Sequence, residues 1–439
     1  MIKSAFEKKE LNHDSAPVLG PLCRPLFAGV FARGMYPEKK PFYITNAFIL
    51  EDPVCGRCIK LAWNKTMQVY PYFTKAVVKR DRAYYLAENP LDFVVCETED
   101  VIEPAAAEGN YHAVTICYKD HRIAFYIDHV PTDGTAIRMV LATFFYYYYC
   151  AFDGTVYPVP EGVRTIENGT SADQEADAYL MVETIGPMDP AAGKADGEVF
   201  QYPEYQKENR RTELLPEDCG HFLLQVPSDE FMTFARSVGG SPSSVLVQLV
   251  CQSLERENPG NELPFSILVP ISVRSAMGNR NSLLHQIVHM TYQADPKMLS
   301  DQDSVSFNRD FRTHLKQISS GESIHFLCGL YRGIIEEFQK AISADMLDQV
   351  ISRNERSQNA LSAGVSFLGT LAAGDYGSRI HMESFRVMPE KEILVYMMEI
   401  GGQFYISFNI GVKTERYALD MERHMKKLGM EHVQLRTVP

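Results

Sequence analysis

A β-strand pattern that passes directly into a long apolar helix dominates the first half of this sequence. The strand candidate Ile123–Val130 is rich in β-branched and aromatic residues, and Pro131 would end its sheet pairing because proline lacks a backbone N–H. From Asp133-Gly134 onward, apolar residues recur at helical spacing. The apolar run Met139–Phe152 is shorter than the roughly 20 residues that a membrane-spanning helix needs. We therefore expect a buried helix and no transmembrane segment.

Strand and helix patterns occur in both halves of the chain without a regular β-α-β alternation. In the first half we predict a strand at Phe42–Leu50, a helix capped by Asp52 and ended by Pro71, and strands at Lys75–Val78, Ala83–Leu86, Phe93–Cys96 and Ala113–Tyr118. In the second half we predict strands at Gly220–Val226, Phe265–Val273 and Leu284–Tyr292 and near Gly364, Ile380, Ile393 and Phe404. We predict helices after a cap at Ser228, at Ser243–Leu254, twice within Ser306–Ala344, and at Glu415–Leu428. This mixture favours an α+β architecture with mixed sheets over a doubly wound parallel sheet.

Charge and length limit the partners and the number of domains. The sequence has 439 residues, with 43 Lys plus Arg against 56 Asp plus Glu, a formal net charge of −13. A negative overall field repels polyanions, so we expect neither nucleic acid nor an anionic membrane surface as the main partner. At roughly 150 residues per domain, the length suggests two or three domains. A polar segment with several Pro and Gly residues predicts an N-terminal half at 1–185, a crossover linker at 186–219 and a C-terminal half at 220–439.

Cysteine usage and the start of the sequence suggest a cytoplasmic protein. The sequence begins without the apolar region of a secretory signal, and its 9 cysteines are scattered. We therefore expect reduced thiols packed as small hydrophobic groups rather than disulfides. Cys55 and Cys58 form one close pair, and a C-x-x-C at a helix start can have a lowered thiol pKa. No second nearby pair completes the four ligands of a zinc site, so no metal site is expected.

His129 stands at the end of the predicted strand, and Asp133 follows four residues later. Strand alternation places His129 on the same face as Ile127, before a bend that Pro131 and Gly134 make possible. An imidazole with an ordinary pKa of about 6.5 can take a proton from a hydroxyl or an amine at neutral pH. The same string also fits a hydrogen-bonded core histidine beside an N-capping aspartate. The residues alone therefore leave both a catalytic base and a structural histidine open.

The string His129-Val130-Pro131-Thr132-Asp133-Gly134 resembles the H-x-x-x-D-G signature of the chloramphenicol-acetyltransferase-like superfamily, the coenzyme-A-dependent acyltransferases and condensation domains. Three further features resemble family motifs and occur in the family's order. Tyr70-Pro71-Tyr72-Phe73 is similar to the end of the first helix in alcohol-acetyltransferase-like members. Leu268–Arg274 resembles the strand written vPvnlR, and Ser366-Phe367-Leu368-Gly369 with Asp375-Tyr376-Gly377 resembles the S-x-x-G strand and the D-F-G-W-G segment. The resemblance covers most of the chain.

The resemblance implies an α+β fold of two α/β sandwich domains with mixed sheets that meet at a central channel. It implies a single chain that works as a monomer. The implied activity is transfer of an acyl group from acyl-CoA, or from an acyl carrier thioester, to a small alcohol, amine or lipid-like acceptor. Acyl-CoA would be a co-substrate, and no tightly bound cofactor is implied.

The resemblance also implies roles for individual residues. His129 matches the catalytic base, which deprotonates the acceptor. The positions that match structural residues of the site are Asp133, Gly134, Arg274 and Asp375. Arg274 is expected to pair with Asp133 or with Asp375. Ser366 is a candidate oxyanion donor or channel residue, although a strand serine bonded to its own backbone is the simpler interpretation.

Two departures from the family pattern concern the site. Asp128 stands where many relatives carry a first histidine, and alternation points its side chain away from His129, which matches the family's base. The segment that ends at Gly377 lacks the following Trp-Gly. Two other functions stay open: a non-catalytic member of the fold that binds a ligand or a protein, and a carrier-dependent condensation enzyme.

Overall fold

The computed structural model describes residues 22–26, 42–80, 83–185, 199–200, 219–343, 361–387, 393–411 and 413–438. The predicted crossover linker, 186–219, lies outside the described residues except for 199, 200 and 219. The division of the chain into two halves and a linker therefore stays a prediction.

The elements alternate irregularly along the chain. The strands are β1 (Leu22–Pro25), β2 (Tyr43–Leu50), β3 (Ala76–Arg80), β4 (Ala83–Ala87), β5 (Val95–Glu97), β6 (Val114–Lys119), β7 (Arg122–Asp128), β8 (Gly220–Pro227), β9 (Phe265–Ser272), β10 (Ile287–Ala294), β11 (Ala363–Thr370), β12 (Ile380–Val387), β13 (Ile393–Ile400), β14 (Gln403–Ile410) and β15 (Gln434–Thr437). The α-helices are α1 (Gly56–Val69), α2 (Gly134–Asp153), α3 (Ser228–Ser237), α4 (Pro242–Glu257), α5 (Arg274–Met277), α6 (Ser304–Ile318), α7 (Gly321–Ser343) and α8 (Arg416–Lys427).

The described strands form three sheets, with the orders β1-β4-β3, β12-β2-β7-β6-β5 and β10-β9-β11-β13-β14-β8-β15. Strand β5 runs parallel to β6, and β11 runs parallel to both β9 and β13. The other paired strands are antiparallel. The predicted α+β architecture with mixed sheets is confirmed.

Strand β12 joins the five-stranded sheet to the seven-stranded sheet. It comes late in the chain, yet it pairs antiparallel with β2, with Ile380 opposite Leu50. The carbonyl of Phe385 on β12 accepts hydrogen bonds from Ser407 Oγ at 2.9 Å and from Asn409 Nδ2 at 3.0 Å, both on β14. Because these donors are buried, the bonds fix the two sheets against each other.

Helix α2 follows β7 as the sequence predicts. From Val140 to Tyr149 every side chain of this helix is buried. Aromatic rings from β7 and α1 pack on this helix and form a first hydrophobic core with it. The ring centroid of Phe144 lies 5.0 Å from that of Phe125 and 6.1 Å from that of Trp63. Burying one such side chain contributes roughly 1.5–3 kcal/mol, so the junction of β7 and α2 is firmly held. In the part of the chain that the structure describes, no helix has the length and apolar content needed to cross a membrane.

A second core supports the seven-stranded sheet. Helices α4 and α8 pack on this sheet and on each other through buried side chains such as Leu249, Met421 and Phe408. The carboxyl end of β9 and the amino end of β10 extend from this core toward the junction of β7 and α2. The two cores therefore position opposite sides of one site.

Two predicted helix caps are wrong. The N-cap of α1 is Cys55, because the Asp52 carboxylate instead pairs with the guanidinium of Arg379 at 2.7 Å. The N-cap of α3 is Pro227, and Ser228 is the first helical residue, with no side-chain capping bond at this helix start. Both errors arise because local patterns do not show distant partners or the path of a preceding strand.

Cys55 and Cys58 form a disulfide, which corrects the expectation that the thiols are reduced. The first turn of α1 brings the two side chains together, and the backbone N–H of Cys58 donates to Cys55 Sγ at 3.2 Å. Among the cysteines whose side chains the structure describes, those outside the disulfide are Cys96, Cys117, Cys150, Cys219, Cys251 and Cys328. Burial raises the pKa of the Cys117 thiol, which is typical of a cysteine packed as a small hydrophobic group.

Candidate functional site

His129 lies immediately after β7, at the point where sheet pairing ends. Its backbone N–H donates to the carbonyl of Phe42 at 3.1 Å, which extends the pairing of β7 with β2 by one bond. Its ring stacks on the Phe42 ring, with the centroids 5.1 Å apart and the planes 12° from parallel. The side chain is half-buried. The backbone and the stacked ring therefore fix the imidazole while part of it stays accessible.

The loop after His129 fixes the tautomer of its ring. Nδ1 of His129 lies 2.7 Å from the carbonyl oxygen of Thr132. Because a carbonyl only accepts hydrogen bonds, Nδ1 carries the hydrogen and Nε2 of the neutral ring keeps its lone pair. Tyr72 donates its hydroxyl to the carbonyl of Pro131 at 2.7 Å, so the Tyr70-Pro71-Tyr72-Phe73 segment helps to hold this loop. Among the described residues, Nε2 has no hydrogen-bond partner.

Burial lowers the pKa of His129 below its usual value of 6.5. The hydrogen bond to Thr132 and the charge of Asp133 act in the opposite direction but do not outweigh burial. The ring is therefore neutral at neutral pH, with a free lone pair on Nε2. This is the state that a general base requires.

Asp133 combines a helix cap with a buried ion pair. Its Oδ1 accepts from the backbone N–H of Ala136 at 3.1 Å, as the N-cap of α2. Its carboxylate also meets Arg274, with Nη2 2.9 Å from Oδ1 and Nη1 2.9 Å from Oδ2, and the two side chains are 3% and 4% exposed. Burial alone would raise the pKa of Asp133, but the Arg274 guanidinium outweighs it and the pKa is lowered. Of the two partners expected for Arg274, the structure shows Asp133.

Gly134 allows close contact between α2 and β11. A Cβ atom at this position would lie 2.8 Å from Cδ2 of Leu368, closer than van der Waals contact allows. The glycine therefore lets the first turn of α2 approach the S-x-x-G strand. Ser366 lies on the same face of β11 as Leu368, because residues two apart in a strand share a face. Ser366 is half-buried, and no hydrogen bond of its hydroxyl is found within the described ranges.

Asp375 lies away from this ion pair. It is exposed in the short 3-10 helix Gly374–Arg379, and it forms no salt bridge with any residue that the structure describes. The next residue, Tyr376, is buried and stacks on Tyr149, with ring centroids 4.9 Å apart. The D-Y-G segment therefore contributes a packed aromatic ring rather than a carboxylate partner for Arg274.

Sequence reasoning missed His285, whose ring lies beside that of His129. The two ring centroids are 5.5 Å apart and the planes are tilted by 48°. His285 is half-buried, and burial, reinforced by the charge of His129, lowers its pKa to about 3. Within the described part of the chain, the His285 ring has no hydrogen-bond partner. No motif marks this residue, so only the folded structure reveals its position.

His289 was also missed, and it lies on β10 near His285. Burial lowers the pKa of His289 to about 4. Its Nδ1 is 2.6 Å from the hydroxyl of Tyr331, and its backbone N–H donates to the same hydroxyl at 3.2 Å. The Tyr331 hydroxyl therefore contacts both the backbone and the ring of His289. Three neutral histidines thus lie close together near the end of β7 and the start of β10.

Metal binding has no support from the described residues, where no group of three or more His, Cys, Asp or Glu side chains could hold an ion. The three histidines do not form such a group. The arrangement instead offers one lone pair on His129 and further neutral imidazole groups beside it. These groups can accept a proton and donate hydrogen bonds to a substrate.

Solved structures of other proteins share this fold over nearly the whole chain. Polyketide synthase associated protein 5 from Mycobacterium tuberculosis aligns with a TM-score of 0.60 at 12% identity, covering 94% of this chain and 99% of its own. F. sporotrichioides TRI101, complexed with coenzyme A and T-2, aligns with a TM-score of 0.57 at 10% identity, over 92% and 98% of the two chains. TRI3 trichothecene 15-O-acetyltransferase from Fusarium sporotrichioides aligns with a TM-score of 0.57 at 11% identity, over 93% of this chain and 95% of its own.

No protein-family model matches the sequence, and no curated protein gives a significant match. The identities to the solved structures are low, so the likeness concerns the fold. The helices and mixed sheets of this chain agree with that likeness. The chain therefore has the two-domain chloramphenicol-acetyltransferase-like fold.

Proposed function

We propose that this protein is an acyltransferase that moves an acyl group from a thioester to a hydroxyl or amine acceptor, with His129 as the general base. The observation that carries the proposal is the hydrogen bond from His129 Nδ1 to Thr132, which leaves the lone pair on Nε2. A structural histidine would be expected to have both nitrogens satisfied. The half-buried ring instead offers one nitrogen to a bound molecule.

The reaction follows from this tautomer. Nε2 of His129 takes the acceptor proton while the acceptor oxygen or nitrogen attacks the thioester carbonyl carbon, and the carbonyl π electrons move onto its oxygen. When the tetrahedral intermediate collapses, the C=O bond re-forms and the C–S bond breaks. His129 then returns the proton to the leaving thiolate. The products are an ester or amide and a free thiol, with no covalent acyl-enzyme.

Coenzyme A is the proposed carrier of the acyl group. TRI101 was solved with coenzyme A, and TRI3 is named as a trichothecene 15-O-acetyltransferase, so related folds use this thiol and acylate a hydroxyl. Polyketide synthase associated protein 5 carries a name that links the fold to a synthase, which keeps a carrier-bound donor as the alternative. The acceptor class, a small alcohol, amine or lipid-like molecule, and a monomeric state also belong to this proposal.

The remaining site residues support the base rather than react. We assign Asp133 and Arg274 to fixing the loop that holds His129, and Gly134 to the close contact with β11. Asp375 is assigned no part in the chemistry, because it is exposed and lies away from Arg274. Ser366 is a candidate hydrogen-bond donor to the intermediate, since β11 contacts the start of α2.

The test is thiol release from acetyl-, medium-chain and long-chain acyl-CoA with simple alcohols and amines as acceptors. We expect His129→Ala to lower kcat by about 10²–10⁴-fold, the usual contribution of a general base, with an almost unchanged melting temperature. His325→Ala is the matched control, because His325 is exposed on α7. Equal activity of wild type and His129→Ala would contradict the proposal. A folded wild type that releases no thiol from any donor, including carrier-bound ones, would instead indicate a binding protein.

A further inference from the structure

We propose that His285 is a second catalytic residue, which donates a hydrogen bond from its imidazole N–H to the thioester carbonyl oxygen as that oxygen becomes negative. This inference rests on the proposed function and deepens it by naming the group that stabilises the tetrahedral intermediate. Removing a single donor of this kind typically lowers kcat by about 10²–10³-fold.

The His285 ring lies beside the His129 ring, with the centroids 5.5 Å apart. A carbonyl carbon attacked by an oxygen that is bound to His129 Nε2 must lie within a few ångströms of that nitrogen. The carbonyl oxygen on this carbon then comes within the range of a neighbouring imidazole. The tilt of 48° between the rings means that they are not stacked face to face.

The His285 ring is half-buried and has no hydrogen-bond partner among the residues that the structure describes. Among the described residues, the His285 ring nitrogens do not belong to the fully buried polar atoms that lack a partner, so a bound molecule can reach them. By contrast, Nδ1 of His289 is already bonded to Tyr331. His285 is thus the histidine next to the base that has its N–H to offer.

The peptide groups on both sides of His285 are bonded to the ion pair beside His129: Arg274 Nη2 donates to the carbonyl of Leu284 at 2.7 Å, and the N–H of Gln286 donates to Asp133 Oδ2 at 2.8 Å. A donor held in place before the reaction costs no reorganisation when charge develops. This clamp also explains why β10 begins at Ile287 rather than at the predicted Leu284.

Burial lowers the pKa of His285 to about 3, so its ring is neutral at neutral pH and carries one N–H. A neutral imidazole donates to the developing oxyanion without competing with His129 for the proton of the acceptor. When the acceptor attacks the thioester carbonyl carbon, the positive charge on protonated His129 and the negative charge on the carbonyl oxygen appear together. Both disappear when the C–S bond breaks and the thiolate is protonated.

Two alternatives to this assignment can be separated by experiment. In the first, Ser366 on β11 donates the hydrogen bond to the thioester oxygen instead of His285. His285 could also bind the acceptor hydroxyl rather than the thioester oxygen. Removing an oxyanion donor lowers kcat with every acceptor by the same factor, because the donor acts on the thioester. A residue that recognises the acceptor changes KM for that acceptor, and the size of the change depends on the acceptor.

The experiment measures kcat and KM for an alcohol series at saturating acyl-CoA in wild type, His285→Phe, His285→Asn, Ser366→Ala and the surface control His325→Ala. We expect His285→Phe, which keeps an aromatic ring but has no N–H, to lower kcat about 10²–10³-fold with every alcohol. His285→Asn, which retains an N–H, should recover part of the rate. His325→Ala should match wild type.

Several outcomes would overturn the assignment. The first is an unchanged kcat in His285→Phe. The second is an effect of His285→Phe on the KM for the acceptor alone. The third is a decrease in kcat that occurs in Ser366→Ala but not in His285→Phe. If His285→Phe melts far below wild type, the comparison of His285→Asn with His285→Ala decides the question, and equal rates for those two variants reject the donor role. A wild type without His129-dependent turnover rejects the proposed function and the His285 role together. A wild type that depends on His129 but not on His285 rejects this inference alone.

Discussion

Asp133 and Arg274 hold between them the peptide groups on either side of His285. The Asp133 carboxylate accepts from the N–H of Gln286, and the Arg274 guanidinium donates to the carbonyl of Leu284. The same carboxylate caps α2 and follows the loop that fixes His129. The buried Asp133–Arg274 ion pair therefore sets the relative positions of His129 and His285. It positions the site residues and also connects distant parts of the chain.

Asp133→Ala should lower the free energy of unfolding by about 3–5 kcal/mol. The substitution leaves the Arg274 guanidinium buried without its charge partner, and breaking a buried pair from one side has this cost. Urea denaturation measures the change. Asp52→Ala is the control, because Asp52 pairs with Arg379 but is 42% exposed. The control should change stability by no more than about 1 kcal/mol. Equal effects of the two substitutions would show that the Asp133 pair is not the stabilising contact described here.

The rate of acyl transfer should fall as the pH decreases through the lowered pKa of His129. Protonated His129 has no lone pair, so kcat/KM should fall about tenfold per pH unit below that pKa. Because burial holds the pKa of His129 below 6.5, the midpoint should lie on the acid side of 6.5 and the rate should be constant from there to pH 7. A pH–rate profile with a fixed acyl-CoA donor measures this. A midpoint above 6.5 would contradict the described burial of the ring.

The sequence predicts the local geometry around His129 well. A proline after a strand and an Asp-Gly before an apolar run are local signals, and the structure has β7 ending at Asp128 and α2 beginning at Gly134. The choice of His129 as a site residue follows from the same signals and from the family resemblance. Its role as a base stays a prediction until a variant is assayed.

The contacts that complete the site could not be predicted from the sequence. Asp133 and Arg274 are 141 residues apart, and the sequence alone left Arg274 with two possible carboxylate partners. The neighbour of His129, His285, lies in a loop without a motif, and its position depends on that ion pair. Pairing of β12 with β2 is equally non-local. Such contacts depend on how separate segments pack, which periodicity and spacing do not encode.

The stability of the protein should decrease between pH 6.5 and pH 4, partly because of His285. Its pKa is about 3 when folded, whereas an unfolded histidine has a pKa of about 6.5, so the unfolded state binds an additional proton in this range. Stability therefore rises with pH there, by at most about 1.4 kcal/mol per pH unit for one group.

His285→Phe should flatten this dependence, and denaturation of both proteins at pH 6.5, 5.5 and 4.5 measures the difference. Carboxyl groups titrate in both proteins, so their contribution cancels in the comparison. His325→Ala should give a curve parallel to that of wild type, since His325 is exposed. Parallel curves for His285→Phe and wild type would show that His285 is protonated as easily in the folded state as in the unfolded state.

Gly134→Ala should destabilise the protein although alanine favours helices. The added Cβ would lie 2.8 Å from Cδ2 of the buried Leu368, so this side chain, or α2 and β11 themselves, must shift at a cost of about 1–3 kcal/mol. Gly321→Ala is a matched control, because Gly321 is also the first residue of a helix and no atom lies within 4 Å of its Cβ position. There the same substitution should be neutral or stabilise by up to about 1 kcal/mol.

A double-mutant cycle identifies the contact. Leu368→Val removes the Cδ2 methyl group, so in that background Gly134→Ala should cost less than half of its cost in wild type. Urea denaturation of the four proteins gives the coupling free energy. If Gly134→Ala destabilises the Leu368→Val protein as much as the wild type, the strain arises at another atom, and close contact with Leu368 does not explain the glycine at position 134.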